Sequence, residues 1–342
     1  MISLVEALVA GKIVALPTDT VAGLAIRADA PNAAATLSAL KGYDSVRPFS
    51  LHFANLAQCA KMAPSLPPGL AAWLQEHLAH GVTAVIPTSW MAIPQSWDWS
   101  WPSVGLRLPQ SQSFSEVAEQ LQVPLLMTSI NTAGEPPLFG SDLQTWLEER
   151  EIPTSAAVFE MPQRGSSVVV EFTPLPQLRR GSLPAEQLRP GLRILVLCSG
   201  NICRSPVAEA MLRAEIAAAW GVQQADLEEL GWHIASAGTF AMPDGPASEC
   251  SITVAADVGL DIRQHRSANL EDLLQEPWDL ILGMGQNHLA ALPEELSQEL
   301  YDPSAQPVPD PFGGPLRAYQ QMRDHLQVAT QQRVQHWSHW AL

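Results

Sequence analysis

The sequence predicts an α/β protein with two domains in tandem. Short apolar runs alternate with helix-forming segments along the 342 residues, which favours sheets covered by helices. This length suits about two domains. Residues 178–191 carry Gly and Pro near both ends and little apolar periodicity, which indicates the last turn of one domain followed by a short linker. We therefore expect one domain in residues 1–189 and a second in residues 190–342.

The first domain is expected to contain a mixed sheet. Apolar runs predict strands at residues 12–17, 47–53, 81–86, 104–109, 124–131 and 166–171, and a helix is predicted at 32–41. The segment 90–101 contains four tryptophans without a clean period. It is either an irregular lid or a packed surface loop, and we favour the packed loop.

The second domain is expected to form a doubly wound parallel sheet. An apolar run ends at Cys198, further strands are predicted at 231–236 and 278–283, and helices at 204–220, 246–259 and 314–341. Such sheets bind ligands outside the carboxyl ends of their strands. The loop after Cys198 is therefore the first place to look for a site.

This loop returns to Arg204, where a helix is predicted to begin. Backbone N–H groups in such a loop and at a helix N-terminus converge on one point, where they favour phosphate and the thiolate form of a cysteine. The planar guanidinium of Arg204 can hold two phosphoryl oxygens at once. The pattern predicts that Cys198 is a nucleophile for phosphoryl transfer. The alternative is a buried, unreactive cysteine that closes a core strand.

Asp310 is a candidate for the acid that such chemistry needs. It lies in the turn-rich segment 307–314, which suits a stiff loop at a pocket rim. A carboxylic acid there would protonate the leaving group and then activate water against the phosphocysteine. An ordinary Asp-Pro turn is the alternative.

Residues 198–206 read Cys-Ser-Gly-Asn-Ile-Cys-Arg-Ser-Pro and resemble the loop of the low-molecular-weight protein tyrosine phosphatases. The resemblance continues at residues 236–239, 265–267, 284 and 310–312, and covers about residues 192–342. It implies a nucleophile, a phosphate clamp and a general acid at Cys198, Arg204 and Asp310, with no metal or cofactor. The supporting loop residues would be Ser199, Gly200, Asn201, Ile202, Cys203 and Ser205, with Asn201 and Ser205 stabilising the thiolate. Cys203 would either trap an oxidised Cys198 as a disulfide or simply pack.

The expected substrate is a phosphoprotein. A phosphotyrosine pocket should be deep and apolar, and Ile202 with Phe312 at the rim would serve. Similar bacterial protein-arginine phosphatases carry Thr at the position of Ile202. Phosphotyrosine is therefore favoured over phosphoarginine.

Five segments of the first half resemble, in order, the YrdC-type threonylcarbamoyl-AMP synthase family. They are residues 17–24, Lys41 with Arg47 and Pro48, residues 104–109, residues 128–131 and residues 180–182, and they cover about residues 1–189. The resemblance implies synthesis of threonylcarbamoyl-adenylate from threonine, bicarbonate and ATP, with Mg²⁺ accompanying ATP. It also implies proteins of transfer-RNA modification as partners, because the product leads to threonylcarbamoyladenosine.

This chemistry needs cations around a triphosphate and small polar donors around a carboxylate and an adenylate. The candidates for ATP and threonine binding are Lys41, Arg47, Arg107 and Arg180, with Thr18, Thr20, His52, Thr83, Thr128, Ser129 and Asn131. The chain departs from the family at Tyr43, Ala22 and Val82, and a phosphate-binding Arg is missing at Tyr43. Two hypotheses stay open: a bifunctional enzyme, or an active phosphatase joined to a degenerate module that binds nucleotide or RNA or regulates.

Composition argues against several other classes of protein. The net charge of −16 with only three lysines disfavours strong binding to nucleic acid or to an anionic membrane. No apolar run approaches the ~20 residues of a membrane span, and no export signal is recognised at the N-terminus. The four cysteines, at positions 59, 198, 203 and 250, form neither a disulfide framework nor a zinc motif. We expect a cytoplasmic protein without a metal site.

Overall fold

The computed structural model describes residues 3–132, 134–161, 165–172, 176–183, 187 and 190–337. They form two compact units, one drawn mainly from the first half of the chain and the other from the second half. The predicted boundary at residue 189 lies outside the described residues, as do residues 184–186 and 188 of the predicted linker. Residues 178–180, where the last turn of the first domain was predicted, form the end of a strand instead.

Within the described residues, the first unit contains an eight-stranded sheet with the order β1-β2-β6-β3-β5-β4-β7-β8. The pairs β3/β5 and β4/β7 are parallel, whereas the other neighbours are antiparallel, so the sheet is mixed as predicted. The strands are β1 Val14–Leu16, β2 Gly23–Arg27, β3 Ser50–His52, β4 Val82–Pro87, β5 Ser103–Arg107, β6 Leu125–Ser129, β7 Val168–Phe172 and β8 Pro176–Arg180.

The described part of the first half of the chain also contains six α-helices. They are α1 Leu4–Val9, α2 Ala33–Leu40, α3 Leu56–Met62, α4 Pro68–His77, α5 Gln112–Ala118 and α6 Gly140–Glu149. One core cluster joins leucines of α1 and β1 to Phe114 of α5 and Leu125 of β6. The tryptophan-rich segment 90–101 is a packed loop, because Trp97 and Trp99 are buried and Trp99 stacks on Trp101 with ring centroids 4.4 Å apart.

Two strands of the first unit were not predicted. β2 is an apolar segment that begins at Gly23, directly after a turn-like segment, whereas β8 is mostly exposed and has no apolar pattern. β2 is buried, because it pairs with β1 on one side and β6 on the other. The pairings with β1 and β6 place β2 inside the sheet.

Residues 190–337 contain a four-stranded parallel sheet with the order β10-β9-β11-β12, which confirms the parallel prediction. Its strands are β9 Arg193–Cys198, β10 His233–Gly238, β11 Leu280–Gly283 and β12 Gln298–Leu300. Its helices are α7 Arg204–Trp220, α8 Glu249–Ala256, α9 Leu270–Leu273, α10 Gln286–Leu289 and α11 Leu316–Trp337. The last part of the predicted helix 314–341, residues 338–341, lies outside the described residues.

The strand order of this sheet creates a crevice at the end of β9. The chain passes from β9 to β10 on one side and later reaches β11 on the other side of β9. Connections that leave a strand in opposite directions open a crevice at its carboxyl end, where ligands of such folds bind. Cys198 is the last residue of β9 and therefore lies at this crevice.

Candidate active sites

The loop between β9 and α7 is shaped around the sulfur of Cys198. Asn201 adopts a left-handed backbone conformation with φ of 53°, which Asn tolerates better than most residues. This conformation brings its backbone N–H to 3.2 Å from Cys198 Sγ. The hydroxyl of Ser205 lies 3.0 Å from the same sulfur. Two hydrogen-bonding groups, a backbone N–H and a hydroxyl, thus lie beside Cys198 Sγ.

The side chain of Asn201 holds the loop in this shape. Its Nδ2 donates to Ser205 Oγ at 2.8 Å and to Ser236 Oγ at 2.9 Å. Its Oδ1 accepts from the backbone N–H of Ala268 at 2.8 Å, and its backbone carbonyl lies 2.8 Å from His265 Nε2. Asn201 is fully buried. Because buried amides are costly unless paired, these bonds make the loop rigid.

Arg204, the first residue of α7, carries a buried guanidinium beside the loop. Its NH2 donates to Asp310 Oδ2 at 2.5 Å and approaches Ser199 Oγ at 3.4 Å, and its NH1 lies 3.4 Å from Val308 O. Its Nε has no hydrogen-bond partner among the described residues. Arg204 therefore retains donor capacity for an anion.

Asp310 meets Arg204 from a separate loop. Its Oδ1 accepts from the backbone N–H of Phe312 at 3.1 Å, which orients the carboxylate. A cavity of about 240 Å³ lies between this loop and Cys198. It is lined by Cys198, Ser199, Gly200, Ile202, Cys203, Arg204, Phe240, Asp310 and Phe312. Every predicted residue of the second domain thus lines the cavity except Asn201 and Ser205, which contact Cys198 Sγ from within the protein.

Cys203 lies in the same loop but turns toward other partners. Its sulfur lies 3.5 Å from Tyr319 OH and 3.6 Å from Ser248 Oγ. It is buried and has a free thiol, as has Cys198.

Four residues of this site were not assigned a role by sequence reasoning. Ser236 and His265 lay within segments that carried the resemblance, and their contacts to Asn201 now explain their position. Glu209 accepts from Ser236 Oγ at 2.7 Å, and His288 Nε2 lies 3.1 Å from Ser199 Oγ. Neither Glu209 nor His288 has a local sequence signal, because each acts on a residue distant in the chain.

The first unit contains a second cavity, of about 360 Å³, at the middle of its sheet. Eight predicted residues line it: Thr18, Thr20, His52, Thr83, Arg107, Thr128, Ser129 and Arg180. They come from separate strands and the loop after β1, so the sheet assembles them. Lys41, Arg47 and Asn131 are not among its lining residues.

Arg107 is the most buried cation of this cavity wall. Its NH2 donates to Asp19 Oδ1 at 2.6 Å and to Thr20 Oγ1 at 2.9 Å, and its Nε has no hydrogen-bond partner among the described residues. Burial and the nearby Arg107 lower the pKa of His52 to about 3, so this imidazole is neutral. The same two causes lower the pKa of Arg180, whose guanidinium donates to Ser167.

Lys41 does not line the cavity but bonds to Ser129, which does. Its Nζ donates to Ser129 O at 2.8 Å and to Asn131 Oδ1, while Ser129 Oγ also donates to Asn131 Oδ1 at 2.7 Å. Burial lowers the pKa of Lys41 to about 8. The ammonium thus ties the end of β6 to the end of α2, and its bonds are with neutral oxygens rather than a carboxylate.

Arg47 lies on the exposed segment that leads into β3. Its guanidinium carbon is 5.7 Å from the centre of the Tyr43 ring, a cation–π arrangement, and its backbone N–H donates to Ser38 Oγ at 3.0 Å. The next two residues, Pro48 and Phe49, line the cavity. Arg47 is therefore close to the cavity along the chain without being part of its wall.

No metal centre is seen among the described residues, where no three His, Cys, Asp or Glu side chains come together as ligands. Among the same residues, no helix combines the length and apolar character needed to span a membrane.

Comparison with known proteins identifies relatives of the second unit. A protein-arginine-phosphatase of Bacillus subtilis (strain 168) is 31% identical over 148 residues, which is 41% of this chain and 92% of that protein. The low molecular weight protein-tyrosine-phosphatase Etp of Escherichia coli (strain K12) is 29% identical over 146 residues, or 41% and 90% of the two chains. A crystal structure of the tyrosine phosphatase Wzb from Escherichia coli K30 with sulphate shares 29% identity, covers 42% and 95%, and has a TM-score of 0.36.

Two family models match the chain in succession. The model for Sua5, YciO and YrdC proteins, described as "Telomere recombination", matches residues 6–181. The model for low molecular weight phosphotyrosine protein phosphatases matches residues 193–338. The chain therefore belongs to the Sua5/YciO/YrdC family through its first half and to the low molecular weight phosphotyrosine protein phosphatase family through its second half.

Proposed function

We propose that this chain is a bifunctional enzyme. Residues 190–342 act as a cysteine-dependent protein phosphatase, and residues 1–189 synthesise threonylcarbamoyl-adenylate from threonine, bicarbonate and ATP. The observation that supports the phosphatase most directly is that Cys198, Arg204 and Asp310 line one cavity at the carboxyl end of β9. The family to which this half belongs supports the same chemistry.

In the proposed reaction, Cys198 Sγ attacks the phosphorus and the bond from phosphorus to the leaving oxygen breaks. Asp310 donates its proton to that oxygen, and Arg204 holds the equatorial phosphoryl oxygens as charge builds on them. A water molecule then attacks the phosphocysteine and gives its proton to Asp310. The P–S bond breaks, and inorganic phosphate and the thiolate of Cys198 are restored.

The proposed substrate class is phosphotyrosine in proteins. Ile202 and Phe312 line the cavity together with Phe240, and both phenylalanines are largely exposed, with 85% of Phe240 and 72% of Phe312 accessible. Exposed aromatic rings at the mouth of an anion site suit a phenyl phosphate, because aromatic pairs gain about 0.5–1.5 kcal/mol beyond their buried area. Phosphoarginine is the competing substrate, since a relative of this half is a protein-arginine-phosphatase.

Peptides of one sequence carrying either phosphotyrosine or phosphoarginine separate these substrates. We expect the full chain to show a higher kcat/KM for the phosphotyrosine peptide. An Ile202→Thr variant should lose part of this preference, because a hydroxyl replaces the apolar wall, while Val328→Thr, at an exposed position outside the cavity, should keep it. A higher kcat/KM for phosphoarginine would contradict the phosphotyrosine proposal and leave the phosphatase proposal intact.

The synthase proposal is supported by the donor set of the 360 Å³ cavity. Arg107 and Arg180 would bind phosphoryl oxygens, and the hydroxyls of Thr18, Thr20 and Ser129 would bind the threonine carboxylate and the adenylate. Magnesium would accompany ATP, held largely by the phosphates and water as this ion usually is. No Asp or Glu is among the described residues that line the cavity, and Asp19 is paired with Arg107, so phosphates and water would supply the ligands of the ion. Bound in this way, the ion would neutralise phosphate charge.

A second candidate for the first half is a module that binds nucleotide or RNA without catalysis. The observation that favours it is the state of the cations: Arg107 is paired with Asp19, and Tyr43 occupies the position of a family arginine. Arg47, stacked beside Tyr43, is the residue that would have to supply the missing charge.

The two candidates differ in pyrophosphate release. We would incubate Cys198→Ser protein with ATP, magnesium, threonine and bicarbonate and measure threonine-dependent pyrophosphate together with the adenylate. Both products should form, and Lys41→Ala and Arg47→Ala should each reduce them, whereas Lys12→Ala, at an exposed site, should not. Absence of both products would exclude the synthase proposal. Retention of ATP binding in that case would support the module.

A further inference from the structure

The hydroxyl of Ser199 joins two residues that are distant in the chain. Its Oγ lies 3.4 Å from Arg204 NH2 and 3.1 Å from His288 Nε2. Ser199 directly follows Cys198, and its carbonyl accepts from the N–H of Phe240 at 2.9 Å, so its backbone cannot shift easily. The hydroxyl of Ser199 therefore approaches Arg204 from a backbone that is held in place.

The chemistry of the three groups sets the direction of the hydrogen bonds. A guanidinium only donates, so Ser199 Oγ must accept from Arg204. A hydroxyl has one proton to give, and His288 Nε2 is the acceptor within reach. The amide of Asn287 approaches the same nitrogen at 3.4 Å and can also donate to it. In this arrangement the Ser199 hydroxyl donates a hydrogen bond to Nε2 of a neutral imidazole, which carries its own proton on Nδ1, a nitrogen without a hydrogen-bond partner among the described residues. The pKa of His288 is lowered by burial and by the nearby Arg204, which agrees with this state.

His288 is held in place by the sheet. It belongs to α10, which follows β11 after Met284 and Gly285, and only 1% of its surface is accessible. The N–H of Met284 donates to Leu197 O at 2.9 Å, and the N–H of His288 donates to Gly285 O at 3.0 Å. The ring therefore reaches Ser199 from a neighbouring strand of the same parallel sheet.

The closest partner of Arg204 is Asp310, which leaves the guanidinium during the proposed reaction. Two longer contacts remain, each of 3.4 Å: NH1 to the backbone oxygen of Val308 and NH2 to Ser199 Oγ. In the proposed reaction Asp310 turns to the leaving oxygen and then to water. The hydroxyl of Ser199 is the side-chain oxygen that can stay with the guanidinium during both steps.

We infer that Ser199 and His288 are a positioning pair for Arg204, in which the hydroxyl orients the guanidinium and the imidazole orients the hydroxyl. The inference rests on the proposed phosphatase function. Both residues act through Arg204, so their effect on phosphate binding should be lost when the planar guanidinium is replaced.

The test measures the affinity of inorganic phosphate, by calorimetry, for full-length protein in a Cys198→Ser background. Ser199→Ala and His288→Leu should each weaken phosphate binding about 3- to 10-fold, the effect of losing one long hydrogen bond that orients Arg204. The double variant should be no weaker than the worse single variant, because the two residues serve one contact. His288→Gln, whose amide oxygen can accept near the position of Nε2, should restore most of the affinity.

The Ser199→Ala substitution in an Arg204→Lys protein distinguishes a positioning role from a packing role. Ser199→Ala should then change phosphate affinity about twofold or less, because the contact it supports is already lost. The inference would be overturned if the single variants bind phosphate as tightly as the Cys198→Ser parent. It would also be overturned if Ser199→Ala causes the same loss of phosphate affinity with and without the Arg204→Lys substitution. If His288→Leu does not fold, Ser199→Ala and His288→Gln still decide the question.

Turnover of an aryl phosphate by the protein with Cys198 intact tests the proposed function separately. If the phosphate-binding results contradict the positioning role while turnover is normal, the phosphatase proposal still holds. Absence of turnover excludes the phosphatase proposal itself.

Discussion

At the scale of single residues, the contact between Arg204 and Asp310 would link phosphate binding to proton transfer in the proposed reaction. Asp310 Oδ2 accepts from Arg204 NH2 at 2.5 Å, so the carboxylate meets the guanidinium on an edge that a phosphoryl oxygen would also use. A bound phosphoryl group must therefore compete with Asp310, and the carboxyl released from Arg204 becomes available to the leaving group. Because of this exchange, we expect Asp310 to affect the rate of the chemical step more than the affinity for phosphate.

Replacing Asp310 with Asn should lower kcat about 100-fold for phenyl phosphate, which is within the usual range for a lost general acid. The loss should be smaller for p-nitrophenyl phosphate, because nitrophenolate departs without a proton. Steady-state kinetics with both esters measure the difference. Asp261→Asn, at an exposed carboxylate paired with Arg263, is the matched control and should leave kcat unchanged. Equal losses for the two esters would contradict the acid role.

Lys41 should make the stability of the protein depend on pH. Burial lowers its pKa from 10.5 to about 8, so between these values the unfolded chain binds the proton that the folded chain has released. The free energy of unfolding should therefore rise with pH over this interval. Below it, the folded protein is less stable because it holds a charged ammonium in a buried position. Urea unfolding of wild type and Lys41→Met at pH 7, 8, 9 and 10 measures the effect, since other titrations cancel in the comparison.

Wild type should gain stability relative to Lys41→Met as pH rises from about 8 to 10.5. Lys12→Met, at an exposed lysine, should follow wild type at every pH. Parallel curves for wild type and Lys41→Met would show that the ammonium is not perturbed in the folded state.

At the scale of secondary-structure elements, the phosphate loop depends on the close approach of β10 to the end of β9. Gly238 closes β10 opposite Cys198, and a Cβ there would lie 2.5 Å from Ser199 O and 2.9 Å from Asn201 N. Both atoms belong to the backbone of the loop, so neither can move without changing its shape. A glycine at this position is what allows the strand and the loop to pack together.

Gly238→Ala should destabilise the second unit by about 1–3 kcal/mol, the usual cost of overpacking. It should also weaken phosphate binding, because the loop must shift away from the new methyl group. Thermal unfolding and phosphate calorimetry measure the two effects. Gly165→Ala, where the described residues leave open space, is the control. An unaltered phosphate affinity would show that the loop tolerates the methyl group without moving.

At the scale of the whole molecule, each cavity is lined by residues of one unit. The residues around the 240 Å³ cavity belong to the second unit, and those around the 360 Å³ cavity belong to the first. Each proposed reaction therefore has its binding groups within a single compact unit. This arrangement predicts that the two activities can be removed one at a time.

Cys198→Ser should abolish aryl phosphate hydrolysis and leave threonine-dependent pyrophosphate release unchanged. Lys41→Ala should have the opposite effect, because it disturbs Ser129 and Asn131 without reaching the phosphate loop. Assays of both reactions on each variant test this separation. Loss of both activities in either variant, with normal unfolding curves, would contradict it.

The second site could be predicted from the sequence more completely than the first. Cys198, the loop and Arg204 occupy consecutive positions, so a strand, a turn and a helix are sufficient to bring them together. Helix α7 begins and ends at the predicted residues, because Arg204–Trp220 is a continuous helix-forming segment that stops before Gly221. In the first unit the polar candidates are spread over about half of the chain. Eight of them line the cavity, but Lys41 and Asn131 do not.

The sequence by itself determined the two-family organisation, the α/β class and the parallel sheet around Cys198, because these depend on local patterns and contiguous motifs. The tertiary structure alone decided that Asp310 contacts Arg204, that His288 reaches Ser199, and that Arg107 is paired with Asp19. These contacts join residues 88 to 106 positions apart. Strand order and register decide such distances, and no local pattern encodes them. For that reason the residues that tune the chemistry became visible only in the folded chain.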